Sequence, residues 1–250
     1  MDVDEPCGEQ ALFVLAEAAA PCRTALLCRR GRSRPILNRY CSACKGNGKG
    51  RVKSWDGAMI YLVLGLALFL GVHSSRMLAG DWRERTVQRL GAGPWKGVYS
   101  VVSLVGLALL IWGYGQARQM PVQVWNPPVG MRHLAALLTL FAFVLLAAAY
   151  VPGNQIKARL HHPMVLGVKT WALAHLLANG TLSGIILFGS FLAWAVALFV
   201  VSRRRDRATG VAYAAGSAGR TALTVVVGVS AWAAFAFWLH GLLIGIRPLG

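Results

Sequence analysis

After Cys44 the chain has no cysteine; its five thiols, Cys7, Cys22, Cys28, Cys41 and Cys44, all lie before residue 45. No disulfide can therefore staple the part that follows. Carboxylates are nearly as scarce. Of nine acidic residues only Asp81, Glu84 and Asp206 come after Met59, and none falls inside an apolar run. That removes the paired carboxylates of glycoside hydrolysis or an aspartic protease. It also weakens proton-coupled transport, which normally needs an acidic group within the membrane. There is no G-x-S-x-G elbow and no H-E-x-x-H helix, so hydrolytic chemistry lacks its usual frames. Residues 1–58 show no secretory signal pattern, and "ALFVLAEAAA" is too short to span a bilayer.

Apolar residues are plentiful. They make up 56% of the 250 residues, against 14% charged, which marks a polytopic membrane protein. Residues 1–58 are polar, arginine-rich and cysteine-bearing, and the character changes abruptly at Met59. Six apolar segments follow, near 59–78, 98–116, 132–150, 164–180, 182–201 and 221–246. Backbone polar groups in hydrocarbon must be paired within the segment, so the expected fold is all-α: about six transmembrane helices in one bundle. The fourth segment is the weakest span, because it is short and carries Lys169. Residues 59–250 form the expected membrane domain. Residues 1–58 are expected to be a poorly structured extension: either Met59 is the natural start, or a basic, cysteine-bearing segment is a real part of the chain on the outward side.

The net charge of +17 is unevenly placed. Twelve Lys or Arg lie in the connections after segments one, three and five, including Arg83, Lys96 and Arg203, Arg204, Arg205 and Arg207. The opposite side, leaving out residues 1–58, holds Arg118, Arg132 and Arg247. The positive-inside bias puts the arginine-rich loops in the cytoplasm, facing anionic lipid. The lipid bilayer is the expected partner. No basic-aromatic module of a nucleic-acid-binding fold is present.

"CSACKGNGKG" (Cys41–Gly50) has the C-x-x-C-x-G-x-G form of the zinc units of DnaJ-type chaperones. A single such unit supplies only half a tetrahedral site, and chance in an extension explains it as well. Histidine is the remaining chemical resource. His133, His161 and His240 fall near helix ends, where a wet imidazole needs no special reason. His73 and His175 lie deeper. Neutral imidazole is a common metal and haem ligand, but interhelical hydrogen bonding is the plain alternative. Counting rise per residue, His73 lies roughly 8 Å and His175 roughly 16 Å from the arginine-rich boundary. One flat macrocycle held by both would need tilted helices. His162 precedes Pro163 and suits a helix start. Lys169 can snorkel to the headgroups or meet an anionic group. Trp171 and Asn179 share a helix face with His175, and Asn179 is a candidate partner for the ring N–H.

The stretches "FLGVHSSR", "GPWKGVYSVVSLVGL", "WGYGQAR", "AAAYVPGNQIKARLHHPMVLGVKTWALAHLLANGTL" and "LFGSFLAWA" occur in order. Together they resemble the NnrU family of bacterial integral membrane proteins, closely over residues 59–205. The resemblance implies an inner-membrane protein linked to denitrification and nitric oxide metabolism. A more distant similarity to fifteen-cis zeta-carotene isomerase implies haem b, with His73 and His175 as the iron ligands and His162 as a further histidine. That enzyme's exchangeable cysteine falls at Ala172 here, which argues against thiolate exchange. The readings left open are a haem protein in nitrogen-oxide chemistry, a non-enzymatic membrane assembly or regulatory factor, and an isomerase-like enzyme on an apolar polyene.

Overall fold

A computed structural model describes residues 55–249. The zinc-like motif and the arginine-rich extension up to residue 54 lie outside the described residues. Nine α-helices follow along the described chain: α1 Trp55–Leu78, α2 Gly80–Leu90, α3 Ala92–Ala117, α4 Gly130–Tyr150, α5 Gln155–Leu160, α6 Pro163–Ala178, α7 Leu182–Thr209, α8 Ala218–Ala234 and α9 His240–Ile244. A π-helical turn, Phe235–Leu239, joins α8 to α9. The only β pairing among these residues is two isolated bridges.

Five helices are long and apolar enough to cross a membrane: α1 (from Gly57 to Ser75), α3, α4, α7, and α8 continued to Ile244. α6 is shorter, at 16 residues. The count of six spans expected from hydropathy is thus five full-length helices plus one short one. The first span also begins earlier than Met59, and Ala58 is already packed into the core.

Side-chain caps set several helix starts. Asn154 accepts from Lys157 N, Thr181 from Gly184 N and Ser217 from Arg220 N, each pairing an N–H that the helix cannot satisfy itself. The connections are stitched at both ends. Val124 N and Trp125 N donate to Gly180 O, and Leu182 N donates to Val122 O, so the α3–α4 loop and the α6–α7 turn share one end. At the other, arginine-rich end, Asn154 pairs with Ser217. α6 therefore runs from one end of the domain to the other.

Packing follows the order α3, α1, α7, α6, α4, α8. The closest pair is α1 with α3, and glycine makes it so. A Cβ on Gly65 would collide with Leu110 N, and one on Gly113 would collide with Leu62 N. Small residues let membrane helices approach through their backbones, where dispersion replaces the missing hydrophobic drive. Leu62, Leu66, Leu110, Leu187 and Phe188 form the buried core where α1, α3 and α7 meet. Long apolar side chains such as Val101, Leu104 and Ile111 stay exposed, as suits a surface that meets lipid.

Candidate functional site

His73 sits near the arginine-rich end of α1. Its Nδ1 lies 2.6 Å from Phe69 O. A carbonyl only accepts, so Nδ1 carries the proton and Nε2 keeps the lone pair. Its ring packs against Phe69 at 4.3 Å, Tyr99 at 5.3 Å and Trp194 at 6.3 Å between centroids. Trp194 is itself anchored: its indole N–H donates to Ser74 Oγ at 3.1 Å, and Ser74 donates to Leu70 O. His73 opens onto a cavity of about 440 Å³ lined also by Ser75, Arg83, Trp95, Lys96, Tyr99 and Ser100.

His175 lies one turn before the far end of α6. Its Nδ1 donates to Trp171 O at 2.9 Å, which leaves Nε2 as the lone-pair nitrogen. Its ring stacks on Phe188 at 4.7 Å and tilts against Trp171 at 5.1 Å. Metal-ligating histidines typically donate their other ring N–H to a carbonyl in this way. Both deep histidines thus carry the tautomer expected of an Nε2 ligand.

The structure does not bring the two rings together. Ring contacts connect them only in sequence, from His73 to Phe69, Phe191, Trp171 and then His175. On α7, His73 stands at the level of Trp194 and His175 at the level of Phe188, about 9 Å apart by helical rise. Phe69, Phe191 and Trp171 are the rings that link the two histidines.

The remaining residues singled out from the sequence take other roles. Asn179 does not reach the His175 ring; its amide donates to His175 O and closes the end of α6. The Trp171 carbonyl accepts the ring N–H hydrogen bond instead. The Lys169 ammonium sits 5.1 Å over the Phe199 ring, on the arginine-rich side, as a snorkelling lysine would. His162 Nε2 contacts Asp206 Oδ2 at 2.8 Å, so that nitrogen is engaged. His133 is exposed. His240 Nδ1 donates to Ile246 O.

Asp206 gathers a second cluster. Tyr213 donates to the same carboxylate oxygen at 2.7 Å, and His161 stacks on Tyr213 at 4.1 Å with only 10° between the planes. Arg203 contacts His161 Nδ1. Burial, with help from the Asp206 carboxylate, pushes the Tyr213 hydroxyl above its ordinary pKa. Asp206 was visible in the sequence as one of three acids after Met59, but its partners come from another loop and another helix start. Arg83, Lys96 and Tyr99 were likewise missed as a group. "GPWKGVYS" marks an interfacial aromatic-basic stretch, yet only α2 folding back over it brings Arg83 there.

Long apolar helices, crossing repeatedly and carrying half-buried imidazoles, define a multi-pass all-α membrane protein. The family described as NnrU protein matches residues 61–248, and the chain belongs to that family. No curated protein and no solved structure matches it.

Proposed function

We propose that this membrane protein binds haem b through His73 and serves nitrogen-oxide metabolism in the bacterial inner membrane, its arginine-rich loops facing the cytoplasm. One observation carries the reading. His73 lines an open hollow of about 440 Å³, and its Nδ1–H is donated to Phe69 O, which leaves Nε2 as the other ring nitrogen. The lining suits the group: an imidazole nitrogen for iron, the Tyr99 ring against that imidazole, Trp95 in the same wall, and Arg83 and Lys96 as two cations. Trp194 and Ser74 hold the imidazole's flank in place. A haem iron with one protein ligand keeps a position open to a diatomic gas. Membership of the NnrU family supports the link to nitrogen oxides.

The test is a reduced-minus-oxidised spectrum of protein purified from membranes. A b-type band is expected, lost in His73→Ala and kept in His175→Ala. Equal loss in both variants would point to the two-histidine ligation implied by the resemblance. No pigment, even after haem supplementation, would sink the haem reading and leave a non-enzymatic membrane partner.

A further inference from the structure

The cavity beside His73 is built for negative charge. Arg83 is half-buried and lies 5.9 Å from the Trp95 ring centroid, and Lys96 stands one residue further on. Neither makes an ion pair within 4.0 Å with a described residue; among the described residues the single such pair is His162 with Asp206. Tyr99, Ser75 and Ser100, each with a hydroxyl, line the same space, and among the described residues no carboxylate does. The nearest acid in sequence, Glu84, lines a separate hollow on the other flank of Arg83, together with Arg205. The place in the fold matters too. α2 carries Trp82 and basic residues and has no buried residue, as a helix lying in a headgroup layer would. Beyond the cavity, α3 exposes Val101, Leu104 and Val105 along its length.

We infer that this cavity is an oxyanion site for the head of an amphiphile, with Arg83 and Lys96 holding a carboxylate or phosphate and the apolar body lying along α3. Two unpaired cations with hydroxyl donors match that chemistry, because charge-assisted bonds to an oxyanion are the strong ones. Carboxylates of a membrane-soluble pigment and the phosphate of an acidic lipid are the two sources. The site does not depend on the haem reading, since it stands on the charges and hydroxyls alone.

The experiment uses the full chain and the double variant Arg83→Gln/Lys96→Gln. One arm titrates haem b and its dimethyl ester, in which the propionates are neutral. The other measures retention of phosphatidylglycerol in phosphatidylcholine nanodiscs. The wild type is expected to prefer the charged ligand in at least one arm, and the double variant to lose that preference by about tenfold. Arg83→Lys/Lys96→Arg keeps the charge and should keep the preference. Arg89→Gln/Arg204→Gln removes two charges outside the cavity and should change little. No preference in either arm, or an equal loss in the Arg89/Arg204 control, overturns the site. If neither haem nor its ester binds the wild type, the haem reading fails and the lipid arm alone decides the cavity.

Discussion

Three imidazoles in this chain, His73, His175 and His240, are each tied by Nδ1 to a main-chain carbonyl. For the two in apolar helices the carbonyl comes from four residues earlier, so the helix itself pays the cost of burying a polar ring. This residue-level device was partly legible, since a histidine in a membrane helix must find a partner. The partner was not, because a side chain such as Asn179 and a backbone carbonyl at the same spacing are equally consistent with sequence. Asn179→Ala should cost about 1 kcal/mol, a typical hydrogen-bond contribution, measured as a shift of thermal unfolding in detergent, with any pigment band unchanged. Loss of pigment instead would mean the amide reaches the cofactor. At the loop, Tyr213 offers a pH test. Its pKa is raised in the fold above the ordinary 10.0, so the neutral form favours the folded state. The stability this provides is present below pH 10 and is lost as pH rises through the folded value. Tyr213→Phe should flatten that alkaline loss and remove the late-titrating step from the tyrosinate absorbance.

Helices here run well past their apolar stretches. α3 begins at Ala92 rather than near 98, and α7 continues through "SRRRDR" to Thr209. Hydropathy finds where hydrocarbon begins; it does not find where helical hydrogen bonding stops. Arginine is a good helix former, so charged flanks extend the same rod into water. For the same reason α2 read as a loop. Glycine was the opposite case: its frequency was visible, but its pairing was not. Only the fold shows that Gly65 and Gly113 press backbone on backbone. Gly113→Val would force α1 and α3 apart, at about 1–3 kcal/mol by the usual cost of overpacking. Gly115→Val, where a side chain would meet open space, should be nearly silent. Thermal unfolding of the two variants in one detergent compares them, and equal effects would refute the close-packed seam.

For the molecule as a whole, alternation of the spans was legible and the lateral order was not. Charge bias ranks the two faces of a membrane, but nothing in a linear sequence says that α7 separates α1 from α6. The bias predicts that a cysteine at Thr209, placed in a background with the five native cysteines replaced by serine, is labelled only after the cells are permeabilised. A cysteine at Val129 should react from outside in intact cells, and the reverse pattern would invert the topology. The short α6 has an effect of its own. Its 16 residues reach about 24 Å, less than the roughly 30 Å of a hydrocarbon core. A span this short would be met by local thinning of the bilayer where lipid reaches it. His175, a single turn from the end of that helix, would then lie close to the headgroups, and protons and small polar gases would reach it by a shorter path through oil.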